Sequence, residues 1–405
     1  CTTTRTSLND IPLRNNLRAS NGACTFTRAS SAWYEDDTGT VQVALTNIPR
    51  ISPTKGLLIE EARLNVQINN DAMNLWTRPF GVTGSANTTD TLDPLGTNTA
   101  EKITEDDTLL AHGMDAGAMT TVSGSTYELS CYVKKGTRDW FRFNAAGGTA
   151  GNCWFNITTL AAGATPTTGI TSVTARAVQN GWVRISAIFD NDAFFVGTSK
   201  FFGVYHATGD NVTNFAGTVN DYFYAWGFQA EAGSFATSPI LTAGTAVTRA
   251  AENNTKVSTT GWSINSGRVM FDYIPIWSGV SGDNRFLVDS RWPGGARGFI
   301  IFMDPQASAE LNVVSGNAGG STQIASAVLV WTIGVTYRIE YAWGRGNMYL
   351  WRTAAGVKTL VASNLTGTAQ MPDTFNPTAG ICTSAAGGDP RIANGSISNL
   401  RVSRI

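Results

Sequence analysis

Charged residues make up only 15% of the 405-residue chain, well under the ~25% of ordinary soluble proteins. Helix-favouring Lys and Glu are scarce while Gly, Thr, Ala and Asn abound, so strands and turns are predicted. The formal net charge is −1 and no long Lys/Arg run occurs. That excludes the basic footprint of a nucleic-acid binder or of a protein held on an anionic membrane. Histidine occurs twice, as His112 and His206, and G-x-S-x-G, HExxH and GxxxxGK[ST] are all absent. A nucleophilic hydrolase, a zinc protease and a P-loop enzyme therefore lack their motifs. No apolar run approaches the ~20 residues that span a bilayer, and the opening "CTTTRTSLND" lacks the apolar core of a signal peptide. A soluble chain is expected. It starts at Cys1 instead of Met, which implies an upstream piece that was removed or never built. The five cysteines, Cys1, Cys24, Cys131, Cys153 and Cys382, show neither CxxC nor His at metal spacing. They read as reduced thiols, with Cys131 and Cys153 in a core, and a Cys131 to Cys153 bridge as the alternative.

At this length two or three domains are expected. Two-residue alternation marks short strands: "YELSCYV" at 127–133, then "DWFRFN", "NCWFNI", "GWVRISAIF", "KFFGVY" and "DYFYAWGFQAEAG". A second block has the same character, in "GRVMFDYIPIW", "RGFIIFMD", "AELNVVSG", "TYRIEYAWG", "NMYLWRT" and "GSISNLRVSRI". In the last of these the alternation slips between Ile397 and Leu400, as at a bulge. No long amphipathic helix appears, so the fold class is all-β, with tandem β-sandwiches. The Thr/Ala/Asn-rich "SPILTAGTAVTRAAENNTKVSTTG" separates the blocks. This places one β-sandwich or jelly roll over 66–252 and a second over 253–405. Residues 1–65 hold strand-like "TFTRAS" and "TVQVALTNIPRI" but too little apolar pattern for a core. They read as an extended attachment segment that docks on a neighbour or another chain.

Two groups of acids invite a chemical reading. In "GLLIEEARLN" at 56–65 the adjacent Glu60 and Glu61 point to opposite faces if the stretch is extended. They then cannot flank one glycosidic bond, and scaffold is the better reading. "RIEYAWG" offers Glu340 alone to a glycosidase site. The acid-rich "YEDDTG" and "ITEDDT" sit in turn-like contexts, where solvated loops compete with calcium ligation.

The aromatic signal is stronger. The chain has twelve tryptophans, and two stand in a repeated pattern: Trp140-Phe-Arg142-Phe-Asn144 and Trp182-Val-Arg184-Ile-Ser186. If Phe141, Phe143, Val183 and Ile185 point inward, Trp140, Arg142 and Asn144 share the outward face, as do Trp182 and Arg184. Trp154 and Asn156 in "NCWFNI" have the same polarity. Indole rings that stack on sugar C–H faces, beside Arg and Asn that bond hydroxyls, make a glycan-binding face. Trp packed on Arg stems as plain sheet surface or a subunit contact is the competing reading.

These blocks resemble proteins of tailed-phage particles. "FTRASSAWYEDDTGTVQVALTNIPRI" followed by "GLLIEEARLN" resembles the opening of many phage and prophage virion proteins. "TDTLDPLGTNTAEKITED", "STYELSCYVKKGTRDWFRF", "QNGWVRISAIF" and "YFYAWGFQAEAGSFATSPILTAGTAVTRAAE" resemble the head-spike or head-fibre domain, a carbohydrate-binding-module-like jelly roll. "GVTYRIEYAWGRGNMYLW" and "NGSISNLRVSRI" resemble concanavalin A-like, laminin-G-like sandwiches. The resemblance runs from Thr25 onward, and "TSPILT" at 237–242 departs from it where an aromatic usually follows the Ser. It implies a non-enzymatic virion spike, fibre or decoration subunit on the particle exterior. It also implies a homo-oligomer, most often a trimer, that binds bacterial surface polysaccharide and joins other virion proteins through its N-terminal segment. No cofactor is implied, apart from calcium at Asp283 and Asn284 in "VSGDNRF" by analogy with related sandwiches. A secreted glycan-active enzyme and a purely architectural capsid or tail protein are the rivals.

Overall fold

On the strand Trp140–Ala146 the phenylalanines at 141 and 143 are fully buried, so every second residue is committed to a core and the residues between to the other face. The chain is seen in a computed structural model that describes residues 24–72, 75–76, 78–85, 87–116, 119–122, 125–146, 151–164, 166–190, 201–252, 256–278, 284–293, 297–304, 309–382 and 391–403. Among them the regular structure is all β apart from a short 3-10 turn at Gln179–Gly181. No helix among them is long and apolar enough to cross a membrane. The chain forms tandem β-sandwiches. Its two compact units are Ala32–Val43 with Arg63–Arg249, and Cys1–Ser31 with Ala44–Ala62 and Ala250–Ile405.

Among the described residues the first of these units has two large sheets, besides two-stranded pairs such as Leu109–Leu110 with Phe215–Ala216. One runs in the order Ala161–Ala162, Gly151–Asn156, Trp140–Ala146, Phe201–Ala207, Gly113–Asp115, Arg78–Phe80. The other is built on Ile170–Ala177, Trp182–Phe189, Tyr127–Lys135 and Tyr222–Ala232, and continues to Arg63–Asn65 and Val247–Arg249. The core holds Phe141, Phe143, Phe155 and Phe202 from one sheet and Leu129, Val133, Ile185 and Phe228 from the other. Phe143 meets Phe155 and Phe202 edge-on at 4.9 and 4.8 Å, a geometry the ring quadrupoles favour. Cys131 and Cys153 are both buried here as free thiols, so the alternative bridge does not form.

The second unit also has two sheets among the described residues. One joins Val357–Asn364, Asn347–Ala354, Tyr337–Gly344, Ser266–Pro275, Gly395–Ser403, Gly56–Ile59 and Arg50–Ser52. The other joins Cys24–Thr25, Lys256–Ser258, Thr378–Ile381, Arg285–Asp289, Gly298–Asp304, Glu310–Asn317 and Gly320–Ala325. Phe299 packs on Tyr341 and Trp343, each at 5.1 Å. The bulge read at the C-terminal strand is present: the register shifts between Met270 and Asp272, opposite Arg401 and Ser398.

The described strands of the leading segment dock on neighbouring parts of the same chain. They are not a unit of their own. Cys24–Thr25 pairs with Lys256–Ser258, Gly56–Ile59 with Gly395–Ser403, and Arg63–Asn65 with Tyr222–Ala232 and Val247–Arg249. The reason lies in pairing far along the chain, invisible to local pattern. Residues 1–23 lie outside the described residues. Gly56 shows how close the pairing is: it sits at φ +92, and a Cβ there would lie 2.2 Å from the Ile397 carbonyl oxygen.

"GLLIEEARLN" is scaffold. Glu60 is buried and accepts from Arg50 Nη1 at 2.6 Å, while Glu252 accepts from Arg50 Nε and Arg28 Nη1, each at 3.0 Å, with Arg50 Nη2 paired in charge 2.6 Å away. Glu252 also receives the Glu60 amide at 2.8 Å. Arg28 Nη2 donates to the Ala44 and Leu45 carbonyls at 2.9 Å. Glu61 instead exchanges two 2.7 Å hydrogen bonds with the Asn394 side chain. Breaking a buried ion cluster strands a charge at a cost of about 3–5 kcal/mol. Glu252→Ala should therefore lower the stability of the second unit by about that much in urea unfolding. A loss below about 1 kcal/mol would mean that water reaches the cluster.

Candidate functional site

The outward face of the Trp140 sheet is laid out in rungs, because directly opposed residues on antiparallel strands share a face. One rung crosses Asn156 and Trp140 to Ala207, the next Trp154 and Arg142 to Tyr205 and Gly113, and a third Asn152 and Asn144 to Gly203 and Asp115. Arg142 is only 4% exposed. Its Nη1 donates to Asn152 Oδ1 at 2.8 Å and its guanidinium lies 4.3 Å over the Tyr205 ring. Asn144 Nδ2 donates to the same Asn152 oxygen at 3.1 Å. The Tyr205 hydroxyl donates to Asp115 Oδ1 at 2.5 Å. Gly203 makes room for that pair, since a Cβ there would lie 2.1 Å from Asp115 Oδ1.

The sequence-predicted residues divide. Trp140, Arg142 and Asn144 stand together on this face, with Trp140 and Asn144 half-buried. Trp154 and Asn156 share the face but are occupied. Trp154 is 3% exposed, and its indole N–H donates to the Val212 carbonyl at 3.0 Å. Its ring is therefore closed to a sugar. Asn156 Oδ1 accepts the amides of Thr158 and Thr159 at 3.1 and 2.9 Å, shaping the following turn. Asn152, Tyr205 and Asp115 were missed. The alternation of "NCWFNI" and "KFFGVY" already puts Asn152 and Tyr205 outward, whereas the three-residue strand Gly113–Asp115 is too short to show a period.

Trp182 and Arg184 lie on the other sheet, so the repeated Trp-x-Arg pattern does not make one surface. Trp182 is 1% exposed, within a second apolar cluster of Val41, Ala100, Tyr132, Tyr224 and Trp226. Its indole N–H donates to the Leu92 carbonyl at 2.9 Å. Arg184 Nη2 donates to Ser130 Oγ at 3.1 Å. Two sheets alternate in the same phase, and the tryptophan of each faces away from the shared core. Glu35 sits nearby. Burial raises its carboxyl, but Arg176, whose Nη1 lies 2.7 Å away, outweighs this together with Arg184 and the Tyr132 hydroxyl, holding it at about 2.

The other titratable groups are structural too. His206 is fully buried between the Phe141 and Phe223 rings and bonds Glu105 through Nδ1. Among the described residues its Nε2 has no hydrogen-bond partner. Burial lowers its pKa, with Glu105 opposing. His112 places Nδ1 at 2.8 Å from the Gly81 carbonyl and Nε2 at 3.1 Å from that of Phe215. Asp36 and Asp106 in the acid-rich turns accept the amides of Thr38 and Thr108 at 2.8 and 3.0 Å. Among the described residues no group of three or more His, Cys, Asp or Glu is placed to hold a metal. Asp283 lies outside the described residues, and Asn284 Oδ1 is buried with no hydrogen-bond partner. Glu340 meets Arg268 and Lys358 instead of a second acid.

No family model matches this chain and no curated protein matches it. Solved structures align weakly. Domains LG4-5 of the mouse laminin α1 chain share 9% identity over 72% of this chain and 85% of that one, with a TM-score of 0.28. A putative carbohydrate-binding protein from Bacteroides ovatus shares 12% over 73% and 77%, at 0.25. A polysaccharide lyase of family 18 shares 11% over 37% and 78%, at 0.23. Superpositions this loose carry no argument about site or activity, which rests on the geometry above.

Glu128 and Glu231 oppose each other across neighbouring strands and are both buried. Burial pushes the Glu128 carboxyl up and Glu231 adds to the rise, against Arg184 and Arg63, leaving it at about 8 instead of 4.5. A carboxyl raised in the fold contributes stability that is full below its unfolded value and lost as pH rises through the folded one. The first unit should therefore lose stability between about pH 4.5 and 8, and Glu128→Gln should flatten that slope. Denaturant midpoints at several pH values check it; parallel slopes in both proteins would refute the assignment.

Proposed function

We propose that this chain is a non-catalytic glycan-binding protein, a spike, fibre or decoration subunit on the exterior of a phage or phage-like particle, that adheres to bacterial surface polysaccharide. The observation that carries the binding reading is the set of side chains on one sheet face: half-buried Trp140 beside Asn144, Asn152 and Arg142. A ring that takes a sugar's C–H face next to amides that bond its hydroxyls is the composition of a saccharide subsite, and the buried Arg142 guanidinium holds the Asn152 amide in place. The particle reading is supported by the sequence resemblance, as are a trimeric assembly and attachment through the N-terminal segment. Absence of catalysis is supported by the acids: Glu60, Glu61, Glu105 and Glu340 are each held by a separate structural partner. The reading needs no cofactor.

Stacking on one aromatic is worth about 1 kcal/mol, so Trp140→Ala should weaken binding to host capsule or lipopolysaccharide about five-fold, measured on a glycan array with the fold checked by circular dichroism. Unchanged affinity on a folded variant would remove the face from the binding account. Incubation with the same polysaccharides should release no oligosaccharide; release that disappears on changing one carboxylate would establish an enzyme. An antibody against the chain should label the outside of intact particles.

A further inference from the structure

Trp292 is the most exposed tryptophan among the described residues, at 41%. No ring or cation among them covers it, and its indole N–H has no acceptor there. It lies just past the strand Arg285–Asp289, on the hairpin that returns as Gly298–Asp304. The Ser290 amide donates to the Phe299 carbonyl at 2.8 Å and the Trp292 amide to the Arg297 carbonyl at 3.1 Å, continuing the register of Asp289 with Ile300. Opposed residues of such a ladder share a face, so the indole and the Arg297 side chain stand side by side. Asp373 reaches the same rim from another loop, held by the Ala318 amide, which donates to its Oδ2 at 3.1 Å. Arg297 and Asp373 do not close on each other. Nε and Oδ2 are 3.8 Å apart, beyond the about 2.7–3.2 Å of a hydrogen bond, whereas Arg338 grips Asp272 at 2.7 and 2.9 Å and Arg138 grips Glu105 at 2.7 Å. The two side chains are 49% and 38% exposed, so a ligand can reach both.

We infer that this rim is a second saccharide site, in the other unit from the Trp140 face, for a neutral sugar that presents vicinal hydroxyls. Trp292 offers an open ring to the sugar's C–H face. One hydroxyl accepts from Arg297 and its neighbour donates to Asp373, filling the gap that the ion pair leaves. Both charges then strengthen a hydrogen bond without needing a charge on the ligand. An anionic sugar would satisfy Arg297 but meet the Asp373 carboxylate with like charge, and a cationic one would meet Arg297 in the same way. The pair therefore selects a neutral ligand.

The full chain carrying Trp140→Ala, which leaves only the rim, is titrated with neutral oligosaccharides of glucose, galactose, mannose and N-acetylglucosamine, and with polygalacturonate. At least one neutral oligosaccharide should bind, with an affinity that salt barely changes. Adding Trp292→Ala should weaken it about five-fold, and Trp292→Tyr, which keeps a ring, should restore most of the loss. Arg297→Ala and Asp373→Ala should each weaken it as well, and O-methylation of the sugar's vicinal hydroxyls should do the same to the unaltered rim. Affinity unmoved by Trp292→Ala and Arg297→Ala in folded protein would overturn the rim site. Loss of all binding on Trp140→Ala alone would overturn it too, and would leave the Trp140 face standing. Polygalacturonate that binds in preference to every neutral sugar, and loses that preference in Arg297→Ala, would overturn the neutral class. A wild-type chain that binds none of these probes would overturn both sites.

Discussion

Successive side chains on a strand face opposite ways, and in this protein that constraint decides core and candidate site together. Once Phe141 and Phe143 are drawn between the sheets, Trp140, Arg142 and Asn144 have no choice but the outer face. Phe155 and Cys153 commit Trp154 and Asn152 in the same way on the neighbouring strand, and Phe202 and Val204 commit Tyr205 and Gly203. The face is the complement of the core, residue for residue. A one-residue slip in register would exchange the two.

What each outward residue then does depends on what covers it. Trp140 and Trp154 stand on adjacent strands of one face, yet Trp140 is half-buried while Trp154 is 3% exposed, its indole N–H bonded to the Val212 carbonyl. Trp182 repeats the local pattern on the opposite sheet and ends in an apolar cluster with Trp226 and Tyr132. A tryptophan next to an arginine is thus equally suited to a sugar and to a second layer of packing. Only the polypeptide folded over it separates the two.

Buried charge follows a parallel division. The Arg28, Arg50, Glu60 and Glu252 cluster joins residues far apart in sequence and is paired on every side. Its desolvation is offset by short contacts, and its effect is to specify which segments meet. Glu35 and Glu105 are held ionised by arginines, and Glu128 is pushed toward its neutral form by burial and Glu231. Arg142 is the exception among the described residues: a buried cation with an amide and a ring for company.

Much was legible without coordinates. Strand periodicity, scarce charge and the absence of long helical pattern determine an all-β chain of sandwiches, because alternation is local and survives any register. The outward placement of Trp140, Arg142 and Asn144 follows from the same alternation, as does the bulge near Leu400. Adjacent Glu60 and Glu61 exclude themselves as a catalytic pair for the same reason. The destinations of the leading strands were not legible: Gly56–Ile59 pairs more than three hundred positions away, with Gly395–Ser403, and no window of sequence contains both partners. Nor did local pattern separate the half-buried Trp140 from the buried Trp154, or distribute the two Trp-x-Arg repeats to different sheets. Those outcomes are set by strand order and by loops that cross a face, which are properties of long-range packing, so tertiary structure alone decides them.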